Sequence, residues 1–115
     1  MTTKDYVAKY NFANGGINSF TADKKKQFLV DLENDFDLLI TKNGGDTNLS
    51  KFKQSVDQIK QKFDAISNKI INGKLNHSFW RYFYASVVVD RRKVYFPEFQ
   101  EKVERKRNQF KNQNY

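Results

Sequence analysis

From Leu49 onward the apolar residues return in a fixed cadence. Leu49, Phe52, Val56, Ile59, Phe63, Ile66 and Ile70 step by 3, 4, 3, 4, 3 and 4. A seven-residue repeat of this kind keeps one apolar seam on one face of a helix. Before it, Leu29, Leu32, Phe36 and Leu39 step by 3, 4 and 3. Between the two runs stands Asn43-Gly44-Gly45, and glycine tolerates the left-handed conformation that ends helices. Thr21 is placed to cap the first run, because its hydroxyl can accept from the free amides of the next turn, and Asp23 suits that positive end. The pattern predicts one long helix from Thr21 to about Lys42 and a second from Leu49 to Asn72-Gly73. Their short connection favours an antiparallel hairpin.

The polar positions agree with that pairing. Glu33 and Asp35 stand beside the first seam, and Lys53, Lys60, Lys62 and Lys69 beside the second. Each such pair adds only about 0.3–0.5 kcal/mol, yet together they favour one partner and one orientation. Upstream, Thr2 or Thr3 can cap a short helix through Tyr10 with Tyr6, Val7 and Tyr10 on one side, broken by Asn14-Gly15-Gly16. Downstream, Ser78 can cap an aromatic helix over 78–95. In it Phe79, Trp80, Phe83, Tyr84, Val87, Val88 and Val94 or Tyr95 follow an i, i+4, i+8 rhythm. The run Val87-Val88-Val89 opposes helix, since β-branched residues prefer strands, but a lone strand would lack a partner. Pro97 suits the first turn of a last helix, where its missing amide costs nothing. Phe99, Val103 and Phe110 give that helix a thin apolar stripe. The chain therefore reads as all-α: an antiparallel hairpin covered by an aromatic third helix, forming a domain over residues 1–96, then a basic C-terminal helix and tail over 97–115.

Charge changes the picture more than length does. Residues 1–47 hold six Lys against seven acidic residues, a net of −1, and residues 48–115 hold fifteen Lys or Arg against six, a net of +9. The surplus is thickest at Arg91-Arg92-Lys93 and Arg105-Lys106-Arg107. A concentrated positive field attracts polyanions and raises their local concentration. The 115 residues, with eleven Phe, six Tyr and one Trp, are enough for one modest aromatic core. The absence of cysteine excludes disulfides and thiol chemistry. No signal peptide or membrane-spanning run is apparent, which points to a soluble, cytoplasmic protein.

Catalytic signatures are missing. His77 is the only histidine, so no histidine pair for metal or relay can form, and a turn residue before a helix is its plainer role. Asp31, Glu33, Asp35 and Asp37 look like a metal cluster until helical spacing spreads them around the surface. Gly15-Gly16 and Gly44-Gly45 lack the Lys-Ser/Thr sequel of a phosphate loop. The sequence implies no enzyme, no metal and no cofactor. What remains is the basic, aromatic C-terminal third. Arg81 and Arg92 lie eleven residues apart, three turns of a regular helix, and so share a face. Such a row neutralises successive phosphates, with arginine gripping two oxygens at once. Phe79, Trp80 and Phe83 are conceivable base-stacking platforms, although their spacing makes them core residues first.

The segments Lys62-Phe63-Asp64-Ala65-Ile66-Ser67-Asn68-Lys69 and Phe79-Trp80-Arg81-Tyr82-Phe83-Tyr84-Ala85, through Phe96-Pro97-Glu98-Phe99, carry a family likeness. In them the chain resembles small uncharacterised proteins encoded by tailed marine bacteriophages that infect cyanobacteria. The resemblance spans roughly residues 1–100 and brings no site residues with it. It implies a host-cytoplasmic setting, in which small basic proteins act on nucleic acid or on host machinery.

The resulting expectation is a non-catalytic protein that binds nucleic acid, DNA favoured, through phosphate contacts from Arg81, Arg91, Arg92, Lys93, Lys102, Arg105, Lys106 and Arg107. The rival expectation is a protein–protein adaptor or regulator that docks on an acidic surface or forms a homodimer through its heptad seam. That seam has seven apolar positions against four in the preceding helix. Either the aromatic helix covers the excess or a second copy does. A membrane-surface role is disfavoured, since the terminal stripe is too thin to insert.

Overall fold

A computed structural model describes residues 1–10, 17, 20–69 and 77–98. Among these residues the regular structure is entirely helical: α1 (Thr3–Tyr10), α2 (Ala22–Asn43), α3 (Leu49–Asn68), α4 (His77–Phe83), a π-helical turn (Tyr84–Val88) and α5 (Val89–Tyr95). Pro97 and Glu98, at the start of the expected last helix, are helical; the rest of that helix, the expected turn at Asn14-Gly15-Gly16, Ile70 and Asn72-Gly73 lie outside the described residues.

The helix ends follow local chemistry. Thr2 and Asp5 form a reciprocal capping pair: the Asp5 amide donates to Thr2 Oγ1 (3.1 Å) and the Thr2 amide to Asp5 Oδ2 (2.9 Å). Thr21 Oγ1 accepts from the Lys24 amide at 3.2 Å, and Asn48 Oδ1 does the same for Lys51 at 3.2 Å. Gly44 ends α2 at φ 75°, and the amides of Gly44 and Gly45 return to the carbonyls of Thr41 (3.3 Å) and Ile40 (2.8 Å). Both orphan carbonyls are thereby satisfied by a Schellman turn. The α3 helix stops at Asn68, ahead of the expected Asn72-Gly73, and closes with the Lys69 amide on the Ile66 carbonyl at 3.0 Å.

The α2–α3 pair is antiparallel. Asn43 Nδ2 donates to Ser55 Oγ (3.0 Å) and Gln58 Oε1 (2.7 Å), Ser55 Oγ lies 3.3 Å from the Leu39 carbonyl, and Lys62 reaches Asp35 (3.5 Å). Numbers fall along α2 as they rise along α3. Ser55 is fully buried, and its small side chain lets the two backbones approach while its hydroxyl is bonded on both sides. The buried ridge of α2 is Phe28, Leu32, Phe36 and Ile40, an i+4 row, with Leu29 and Leu39 only partly buried beside it. In α3 the predicted seam holds: Phe52, Ile59, Phe63 and Ile66 are buried, Leu49 and Val56 partly so.

The excess of that seam is covered within the chain. Phe63 meets Phe79 and Trp80 with ring centroids 6.0 and 5.5 Å apart, and Phe36 meets Phe83 at 6.1 Å. Phe28 meets Phe79 at 5.4 Å, and Phe52 meets Phe96 at 5.7 Å. These contacts run α4–α5 alongside α2 and opposite to α3. Tyr6 and Tyr10 of α1 close on Phe28 at 5.7 and 5.2 Å. One aromatic chain thus joins α1, α2, α3 and α4 and reaches Phe96 just beyond α5, each edge or offset contact contributing about 0.5–1.5 kcal/mol beyond the area it buries.

Within the aromatic helix, the Val89 amide bonds to the Tyr84 carbonyl, five residues back. Steps of four drift by about 40° each on a 3.6-residue helix. A wider turn absorbs that drift. Phe83, Val87 and Val88 consequently all stay buried, and Arg91, Arg92, Tyr95 and Phe96 follow half-buried. At Phe96, the residue before Pro97, the backbone leaves the helix (φ −134°, ψ 64°).

The tight link between α2 and α3 yields the first prediction. A Cβ on Gly45 would stand 2.9 Å from the Phe52 Cα, which is backbone and cannot step aside. Gly45→Ala should lower stability by about 1–3 kcal/mol, and Gly44→Ala, which meets nothing but keeps its positive φ, by about 1–2 kcal/mol. Urea unfolding reads both; equal midpoints for Gly45→Ala and the parent chain would contradict this packing.

Candidate nucleic-acid interface

The charged surface is organised by α2. Its buried ridge passes through Leu32 and Phe36, and helical geometry puts residues 31 and 35 on one flank and 33 and 37 on the other. Asp31 and Asp35 face α1. Asp31 accepts from Lys9 Nζ (2.7 Å) and from the Tyr10 hydroxyl. Asp35, buried, accepts from the Tyr6 hydroxyl, the amino group of Met1 (2.8 Å) and, more distantly, Lys62. Glu33 and Asp37 face α5, where Arg91 meets both: Nε donates to Asp37 Oδ1 (2.8 Å), Nη2 to Asp37 Oδ2 (3.1 Å) and also to Glu33. Nη1 reaches Asp90 at 3.1 Å.

These contacts move proton affinities in consistent directions. Burial would raise Asp31, but the hydrogen bonds from Lys9 and Tyr10 outweigh it and hold the carboxyl below its usual range. Burial first, and then hydrogen bonding to the carboxylates, pushes the phenols of Tyr6 and Tyr10 well above their ordinary value. Hydrogen bonding to Asp37, ahead of Glu33, keeps the Arg91 guanidinium tightly protonated.

The charge pairing expected across the hairpin is therefore redistributed. Lys62 does meet Asp35, whereas Glu33 turns to Arg91. Lys60 pairs with Asp64 of its own helix (2.7 Å) and lies over the rings of Trp80 (5.2 Å) and Phe63 (5.4 Å). Among the described residues no group of three or more metal-binding side chains is assembled. His77 is exposed at the start of α4.

The expected phosphate contacts fall into four situations. Arg91 is held by three carboxylates of its own chain and serves the fold. Arg92 is half-buried toward α3, where it lines a cavity of about 380 Å³ with Phe52, Val56, Asp57 and Tyr84. Arg81 and Lys93 are exposed and make no ion pair among the described residues. Lys102, Arg105, Lys106 and Arg107 lie outside the described residues. The face expected to be shared by Arg81 and Arg92 is lost, because eleven residues make three turns only on a regular helix and the π turn stands between them. Phe79, Trp80 and Phe83 belong to the core, as their spacing implied. The sequence reading passed over Tyr82, an aromatic off the apolar rhythm, which is 58% exposed beside Arg81. It also passed over Lys25 and Lys26, which stand in the half of the chain without a net positive charge.

No family model matches the chain, and neither a curated protein nor a solved structure matches it. Among the described residues no helix is long and apolar enough to cross a membrane.

Two measurements check this charge layout. Unfolded phenols titrate near 10 and the folded ones above it, so their contribution is fully present below pH ~10 and lost as pH rises through the folded values. The urea midpoint should fall above pH ~10, and more gently in Tyr6→Phe and Tyr10→Phe than in the parent; parallel declines would refute the linkage. Separately, a double-mutant cycle of Arg91→Gln with Asp37→Asn should give a coupling of about 0.5–1 kcal/mol that shrinks with salt. Arg81→Gln should leave stability unchanged within about 0.5 kcal/mol.

Proposed function

We propose that the chain is a non-catalytic nucleic-acid-binding protein, DNA favoured, that holds its partner mainly through phosphate contacts. The observation carrying this reading is the internal pairing of Asp31, Glu33, Asp35 and Asp37. Four carboxylates that could oppose a polyanion are already hydrogen-bonded to their own chain. The net charge of +8 is then expressed by outward cations. Arg81 and Lys93 on the outer side of α4–α5 belong to that set, and the proposal extends to Arg92, Lys102, Arg105, Lys106 and Arg107. Arg91 leaves the contact set and takes the role of anchoring α5. A phage-encoded protein acting in a host cytoplasm is the setting the sequence resemblance suggests for such an activity.

The adaptor reading draws little from the exposed apolar side chains: Leu38 is 68% and Val94 64% exposed, and apolar residues scattered singly are ordinary on a protein surface. Pairing through the heptad seam has less in its favour, since Phe79, Trp80 and Phe96 already lie on that seam.

Binding should weaken steeply with salt, log K falling against log salt with a slope of about −0.9 per phosphate neutralised on duplex DNA. Charge reversal by Arg81→Glu with Lys93→Glu should lower affinity and flatten that slope, with the thermal unfolding curve unchanged. A mobility-shift series across salt concentration decides the matter: undetectable binding at low salt, or binding indifferent to salt, would sink the reading.

A further inference from the structure

A cleft between α2 and α4 is lined by Lys25, Lys26, Leu29, Phe79 and Tyr82 and measures about 450 Å³, within the roughly 300–1,000 Å³ of small-ligand sites. Its floor is apolar and firmly held. Leu29 and Phe79 are partly buried on the core, and the Phe79 ring is clasped between Phe28 (5.4 Å) and Phe63 (6.0 Å). Its rim is different. Tyr82 is exposed and, among the described residues, makes no ring contact, unlike its neighbours Phe79, Trp80 and Phe83. Lys25 and Lys26 are exposed and complete the lining.

An apolar floor, an open ring and a cationic rim specify an occupant that is flat, apolar on its face and negatively charged at its edges. We infer that this cleft takes one unstacked base of a single-stranded nucleic acid against the open ring of Tyr82, above the floor of Leu29 and Phe79, with Lys25 and Lys26 on the flanking phosphates; this rests on the nucleic-acid reading above and narrows it to a strand class. A base inside a duplex has both faces covered by its neighbours, whereas a single strand offers them to an aromatic side chain. An acidic peptide would satisfy the lysines but leave the ring and floor uncovered. The cavity at Arg92 is less suited, because Asp57 sits in its wall. The cleft at Thr3, Lys4, Val7 and Lys69 has cations but no ring.

The test uses the full chain and fluorescence anisotropy at one low salt concentration, with a labelled oligothymidylate, a duplex of equal length and a poly-glutamate chain of equal charge. Tyr82→Ala should weaken oligothymidylate binding about tenfold, the loss of one base–aromatic stack, while Tyr82→Phe retains it. Lys25→Gln with Lys26→Gln should weaken it as well and reduce its salt slope. Duplex affinity should stay within about twofold in Tyr82→Ala, which also controls for folding. Duplex binding together with an oligothymidylate affinity indifferent to Tyr82→Ala overturns the cleft and leaves the phosphate reading standing. Equal losses on both polymers overturn it too. Poly-glutamate binding with the same dependence on Tyr82 would assign the cleft to an acidic peptide instead. Failure of the parent chain to bind either nucleic acid overturns both readings.

Discussion

The structure depends on one helix whose buried ridge is flanked by four carboxylates, Asp35 and Asp31 largely out of water and Glu33 and Asp37 partly solvated. A carboxylate taken out of water without partners is strongly disfavoured. Asp31 and Asp35 therefore constrain what may pack on their flank of α2, while Glu33 and Asp37 favour a cation on the other. Because they alternate along the helix, they form two rows with the ridge of Leu32 and Phe36 between them. The row at Asp31 and Asp35 requires donors from one side, and α1 brings Tyr6, Lys9 and Tyr10. The row at Glu33 and Asp37, partly solvated, is met from the other side by Arg91 of α5. Hydrophobic burial drives the association, but these rows choose which helix lies where.

The aromatic chain acts at right angles to that choice. Through Phe28, Phe79, Phe63, Trp80, Phe83, Phe36, Phe52 and Phe96, rings from separate helices meet across the interior. To stay in register with them over nineteen residues of α4, the π turn and α5, the backbone accepts one wider turn. That turn has a surface consequence. It brings Arg91 to the α2 side and Arg92 to the α3 side, and leaves Arg81 and Lys93 facing outward. Core register and surface charge are thus set by the same local deformation.

For function the outcome is a division of labour among cations that look alike in a list of residues. Arg91 anchors α5, Lys9 and Lys62 serve α1 and the hairpin, and Lys60 covers an aromatic pair. Lys25 and Lys26 stand at a cleft floored by Leu29 and Phe79, with the exposed ring of Tyr82 in its lining. Lys25 and Lys26 from α2 meet Phe79 and Tyr82 from α4 there, although their separation in sequence hides it.

Local patterning was legible from the residues alone. The 3–4 cadence marked α3, Thr21 and Gly44 marked the ends of α2, and the spacing of Phe79, Trp80 and Phe83 marked them as core, since capping and amphipathicity are encoded within a few neighbouring positions. Their all-α consequence followed directly. Three things were decided only when the helices met. The partner of each carboxylate could not be read, because charge complementarity is satisfied equally well by any cation and only packing says which is within 3 Å. The shared face of Arg81 and Arg92 vanished, because a π turn answers to the register of rings on other helices rather than to its own sequence. Tyr82, Lys25 and Lys26 came together for the same reason: a cleft between two helices is a property of their contact, and no stretch of chain holds it by itself.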